Sequence, residues 1–317
     1  MNKHGKRLIT LAALATTTTA IIHIANKVVA ASAGLKEMLD TNGKNYYHWR
    51  FGDIYYTRKG KGSPILLIHD MLPGGSGYEW SRIEDDLALE HTVYNIDLPG
   101  CGRSEKPGMT YTNYVYVQSI CDFIKNVIGE KTDVIVSGYS GSFVIMACRN
   151  EGKLFNKIMM VNPVNPGALK QMPTKRDKLF RKCLEVPVFG TLVYHMVVSR
   201  TAINNEFIEN FAFDPFHPLR DLQDAYYEAA HKGGCYAKNV YANKASKYMN
   251  IDITRALKEI DNSLYIVEGE AENNGEATVE AYQNINPSVE TVTLNETKHF
   301  PQVEDPEHFL EQVGIFF

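Results

Sequence analysis

Ser140 stands in Val134-Ile135-Val136-Ser137-Gly138-Tyr139-Ser140-Gly141-Ser142-Phe143, an apolar run that passes through small residues into a second apolar segment. A serine hydroxyl is a weak nucleophile, so it must be held at a sharp turn beside a base and beside backbone donors for a developing oxyanion. The string approximates G-x-S-x-G, with Ser142 in place of the last glycine, and its strand-turn-helix setting predicts a nucleophile elbow. The competing role for such a serine is an ordinary helix N-cap.

A base is expected on another loop. Val289 to Leu294 reads as a strand, followed by Asn295-Glu296-Thr297-Lys298-His299-Phe300-Pro301, and Pro306 then opens the last helix. His299 therefore belongs at the carboxyl end of a strand, where open α/β sheets build their sites. The preceding strand-end loop, Val267-Glu268-Gly269-Glu270-Ala271-Glu272, offers the acid that would orient an imidazole. Glu272 is the expected partner because it can clear the strand; Glu270 is the alternative. In this arrangement Ser140 attacks a carbonyl, His299 takes and returns the proton, and water cleaves the acyl-enzyme.

Those residues need a scaffold, and the chain has its rhythm. Tyr46 to Thr57, broken at Gly52-Asp53, reads as a hairpin, and Pro64 to Ile68 reads as a strand buried on both faces. Strands at 92–96, 133–136 and 157–161 then alternate with helices at 78–89, 114–128 and 141–150. Alternation at this spacing predicts an α/β fold with a mostly parallel central sheet and helices on both faces. Between about 165 and 260 the alternation gives way to a helical insertion, and it returns with strands near 263–267 and 289–294. A domain over 46–317 is expected, with residues 34–45 as a connector.

Residues 1–33 differ in kind. Lys3, Lys6 and Arg7 precede an uncharged stretch from Leu8 to Ala25, which resumes beyond Lys27. That pattern predicts a membrane anchor, with a cleaved signal segment as the alternative because Ala31-Ser32-Ala33 has a small-x-small form. The basic cluster places the N-terminus in the cytoplasm and the domain outside, secreted if the segment is cleaved.

Composition excludes other classes. The 317 residues are 44% hydrophobic and 22% charged, enough for a full core, and the net charge of -4 leaves no excess of positive charge for nucleic acid. Five cysteines without a C-x-x-C pair imply neither a disulfide framework nor a zinc site. Neither metal nor cofactor is expected.

His69-Asp70, the string Asp97-Leu98-Pro99-Gly100-Cys101-Gly102-Arg103-Ser104, the Ser140 turn and His299-Phe300-Pro301 together resemble the α/β-hydrolase superfamily over about Tyr46 to Phe317. The resemblance implies a serine hydrolase of carboxylesterase type. Its oxyanion donors would be the backbone N–H groups of Gly141 and Met71, and the insertion would be a helical cap over the site. Phe207, Phe211, Phe213, Phe216, Tyr226 and Tyr227 would wall an apolar pocket or pack inside the cap. The sequence departs from the family at Asp70, where glycine is usual, and at Glu272, where aspartate is more common. Those departures motivate a second reading, a catalytically silent, membrane-tethered binding module.

Overall fold

The computed structural model describes residues 3–39 and 45–317. Eight strands form one sheet: β1 (Asn45–Trp49), β2 (Gly52–Lys59), β3 (Ser63–Ile68), β4 (His91–Ile96), β5 (Thr132–Ser137), β6 (Phe155–Val161), β7 (Leu264–Gly269) and β8 (Glu290–Leu294). Their order is β1-β2-β4-β3-β5-β6-β7-β8. The hairpin β1–β2 joins β4 antiparallel, and every other pairing is parallel.

Period-two alternation sends successive side chains of each strand to opposite faces. Leu66, Ile68, Val134 and Val136 meet one layer of helices, with Tyr116, Phe143 and Val144. Ile65, Leu67, Ile135 and Met159 meet the other, with Trp80, Phe309 and Val313. Each such side chain, fully buried, stabilises the fold by roughly 1.5–3 kcal/mol. Because both faces are covered, the strands carry continuous apolar runs, and the polar residues cluster at their carboxyl ends.

Between β6 and β7 the described chain forms only helices, from Pro166 to Glu259. These helices gather around a third apolar cluster containing Phe207, Phe211, Tyr226 and Phe300. The aromatic content of the insertion is thus chiefly its own core.

The structure does not support the expected membrane anchor. Residues Lys3–Ala33 form one helix, yet no helix of the described residues is long and apolar enough to cross a membrane. Thr16, Thr17 and Thr19 turn their hydroxyls back to backbone carbonyls four residues earlier, and His23, Asn26 and Lys27 break the apolar run beyond them. The second half of the helix packs on the cap instead: Asn26 Nδ2 donates to Val188 O at 2.9 Å, and Ala33 is buried in the cap cluster. In the expected connector, residues 40–44 lie outside the described residues. The part before them also follows the cap, with Lys36 paired to Asp224 at 2.6 Å and the Met38 N–H donating to Glu228 at 2.7 Å.

Candidate active site

Parallel register sets the centre of the site. Ile68 on β3 is level with Val136 on β5, so two residues farther on Asp70 and Gly138 leave adjacent strands at the same height. β5 ends in a tight turn in which Gly138 has φ +54°, and the helix Gly141–Asn150 begins directly after. A left-handed φ at the apex of a strand-to-helix turn is the strained position that an elbow reserves for its nucleophile. Here it is occupied by a residue with no side chain.

The space above Gly138 is filled from the neighbouring strand. A Cβ on Gly138 would stand 2.2 Å from Asp70 Cγ. The Asp70 carboxylate accepts backbone N–H groups from Met71 (2.6 Å) and Tyr139 (2.7 Å) on Oδ1, while Oδ2 lies 3.3 Å from His299 Nε2. Two converging N–H groups on one oxygen make the geometry of an oxyanion hole, and the other oxygen faces the base.

His299 is brought to Glu272, as the loop argument anticipated geometrically: Nδ1 lies 3.1 Å from Glu272 Oε2. Glu270 points elsewhere, accepting the Glu296 N–H at 3.0 Å. Ser140 is not brought to His299. It lies in the first turn of the helix with ordinary φ −63°, fully buried, and its hydroxyl donates to His69 O at 2.7 Å. The Gly141 N–H is likewise spent within the turn, on Gly138 O and Tyr139 O, so Tyr139 supplies the second donor beside Met71. Of the expected site only the two residues on the β5 turn differ, each by two positions: the bend lies at Gly138 rather than Ser140, and the donor beside Met71 is Tyr139 rather than Gly141. Sequence reading centred G-x-S-x-G on the serine, whereas the chain bends at Gly138.

Charge follows from this geometry. Burial would raise the Asp70 carboxyl, but the charge of Lys244, the bond to His299 and the Tyr139 N–H together bring it down to about 2. For His299 burial works against the cation, and the bonds and charges of Asp70 and Glu272 overcome it, raising the imidazole to about 10. Asp70 and Glu272 on its two ring nitrogens thus favour the imidazolium form of His299.

Several positioning residues escaped the sequence reading. Asn162, at φ +42° just past β6, donates to the carbonyls of Lys298 and His299 and accepts the Gly269 N–H, tying three strand ends together. Glu79 is fully buried; it accepts the Asp70 N–H at 3.1 Å and Gln302 Nε2 at 3.0 Å, and burial with the nearby Asp70 charge pushes its carboxyl up to about 7. A carboxylate inside a helical-looking stretch carried no signal that it would turn inward. His69 holds the loop from below, its Nδ1 on Asp70 O and its Nε2 accepting the Leu98 N–H.

The cap closes over this centre. Phe211 stacks on His299, with ring centroids 4.8 Å apart, and its carbonyl accepts the His299 N–H. Leu72, Phe207, Phe211 and Tyr226 line a cavity of about 320 Å³ beside it. Of the other expected wall residues, Phe213 and Phe216 are exposed, and Tyr227 lines a separate surface cleft.

The family model of the alpha/beta hydrolases matches residues 65–313, most of the chain and all of this site. The chain belongs to the alpha/beta hydrolase family. Within it, the chain is 26% identical over 117 residues to a soluble epoxide hydrolase of Corynebacterium sp., a match covering 37% of this chain and 40% of that protein. It is 20% identical to a proline iminopeptidase of Heyndrickxia coagulans over 82% of this chain and 92% of that protein. The chain spans about two-fifths of the length of the curated relatives it matches first. Among solved alpha/beta hydrolase structures, a meta-cleavage product hydrolase from Pseudomonas fluorescens superposes with TM-score 0.70 at 17% identity, covering 88% of this chain and 98% of the other, a likeness of fold. These relatives support a hydrolytic function.

Proposed function

We propose that this alpha/beta hydrolase uses the carboxylate of Asp70, not the hydroxyl of Ser140, as its nucleophile, and opens epoxides by water addition. One observation carries the reading: Asp70 has one oxygen on the Met71 and Tyr139 N–H groups and the other on His299 Nε2. Attack by a carboxylate on an acyl group would give a reactive anhydride. Attack on a saturated carbon gives an alkyl ester, which a neighbouring base and oxyanion hole can hydrolyse.

The steps balance with the groups present. Asp70 Oδ2 bonds to an epoxide carbon as the C–O bond of the ring breaks, and the alkoxide takes the Nε2 proton of the His299 imidazolium. Esterification removes the Asp70 charge, one of the two carboxylates that kept His299 protonated, so the imidazole is left neutral with Glu272 on Nδ1. It then takes a proton from water, whose oxygen attacks Asp70 Cγ, and the new oxyanion rests on the Met71 and Tyr139 N–H groups. Collapse expels the diol, restores the carboxylate, and leaves His299 protonated as at the start. The cavity beside Phe211 suits an apolar substituent. The resemblance to a soluble epoxide hydrolase is consistent with this chemistry.

Ester hydrolysis through Ser140 requires its hydroxyl to leave the His69 carbonyl and the turn to rebuild. The silent reading has an observation of its own: Asp70 already satisfies both donors and the base. Turnover decides among the three. With 1,2-epoxyhexane and p-nitrophenyl butyrate offered to the same preparation, the proposal expects diol formation that disappears in Asp70→Asn and persists in Ser140→Ala. Ester turnover lost in Ser140→Ala supports the serine enzyme, and a folded protein inert to both supports the silent module.

A further inference from the structure

A second cleft, of about 670 Å³, lies where the N-terminal helix Lys3–Ala33 meets the cap, and Asp70, Glu272 and His299 are not among its lining residues. Asn26 and Lys27 line it from the helix; Val188, Thr191, His195 and Lys238 line it from the cap. Its size falls within the range of small-molecule sites.

Three of these side chains are more than nine-tenths buried and carry a polar atom with no partner among the described residues: Asn26 Oδ1, Thr191 Oγ1 and His195 Nδ1. Buried polar atoms are nearly always satisfied, so three on one cleft point to something that bonds there. Charge adds direction. Among the described residues that line the cleft, Lys27 and Lys238 face the single acid Glu185. Lys238 is 3% exposed, and among the described residues its ammonium donates only to the Val186 carbonyl at 2.7 Å. Burial lowers its pKa, so an anion beside it would relieve the desolvation of the cation. Ala30, Met109, Pro187 and Val188 supply apolar wall between these groups.

We infer that this seam binds an amphiphile, its apolar chain lying along the N-terminal helix and its anionic head held by Lys238, Thr191 and His195. The occupant would fasten the helix to the cap. This inference is independent of the Asp70 chemistry.

Calorimetric titration of the full chain with decanoate, decanol and decyltrimethylammonium tests it. Decanoate is expected to bind at least about tenfold more tightly than either of the others. Lys238→Gln should erase that preference, Thr191→Trp should abolish binding by filling the cleft, and Asp70→Asn should leave it intact. Equal binding of decanoate and decanol, no binding to the folded wild type, or loss in Asp70→Asn with retention in Thr191→Trp overturns the seam site. The last result would place the chain at the catalytic centre instead.

Discussion

The carboxyl carbon of Asp70 lies 2.2 Å from the point where a Cβ on Gly138 would stand. One strand thus supplies the bend of an elbow and its neighbour places a carboxylate above it. The two positions should be exchangeable only together. In Asp70→Gly/Gly138→Ser the serine would sit at the apex, with the Met71 and Tyr139 N–H groups and His299 free to serve it. We expect this double variant to gain labelling by a fluorophosphonate and measurable p-nitrophenyl butyrate turnover. Gly138→Ser alone should fail for lack of space and lose stability, with left-handed strain of about 1–2 kcal/mol besides. A double variant that folds and remains unlabelled removes Gly138 from the nucleophile position.

Ser140 is assigned a structural role, and its removal has a small expected cost. Ser140→Ala loses one buried hydrogen bond to His69 O, worth about 1 kcal/mol, and should leave epoxide turnover unchanged. Urea denaturation and steady-state rates on the same preparation check both halves.

Glu272 and Glu270 should separate cleanly. Glu272→Gln removes one of two carboxylates that raise His299, so the alkaline limb of the pH–rate profile should move down from about 10. The turnover number should fall about a hundredfold, because neutral glutamine stabilises the imidazolium of the hydrolytic step far less. Glu270→Gln, whose carboxylate caps the Glu296 turn, should be nearly silent. An unchanged profile in Glu272→Gln contradicts the pairing.

Much of this was legible in the residues. Short continuous apolar runs such as Pro64 to Ile68 specify strands buried on both faces, and the strand-end positions of His299 and Glu272 follow from counting along their loops. The bend lies two residues before the expected serine for a physical reason. G-x-S-x-G describes a backbone bend by its usual side chains, and Gly138-Tyr139-Ser140-Gly141-Ser142 approximates the string while bending at Gly138. Only the register of Ile68 with Val136 reveals that Asp70 and Gly138 share a level. Asp70 was visible as a departure, but its direction was not. The structure does not support the N-terminal run as an anchor: apolar residues that read as lipid-facing also serve to pack on a cap, and a single sequence does not state which surface they meet.

Glu79 gives the stability a sign. Its carboxyl is raised from 4.5 to about 7 in the fold, so between those values the unfolded chain releases a proton that the folded chain keeps. Stability should therefore fall as pH rises from 4.5 to 7 and level off above, by on the order of 3 kcal/mol. Glu79→Gln should flatten this limb and be relatively more stable at pH 8 than at pH 5. Melting temperatures of both proteins across that range test it, and parallel curves would exclude Glu79 as the cause.

The central claim is that a covalent bond forms at Asp70, and mass spectrometry of the protein can read it directly. His299→Gln should block ester hydrolysis, and 1-bromohexane needs no proton for its leaving group, so alkylation should proceed and stop. After incubation with this probe, the account predicts one hexyl adduct per chain, located by peptide mapping on Asp70, cleaved by hydroxylamine, and absent from Asp70→Asn/His299→Gln. An unmodified Asp70 peptide in folded, saturated protein, or an adduct on Ser140 instead, would contradict it.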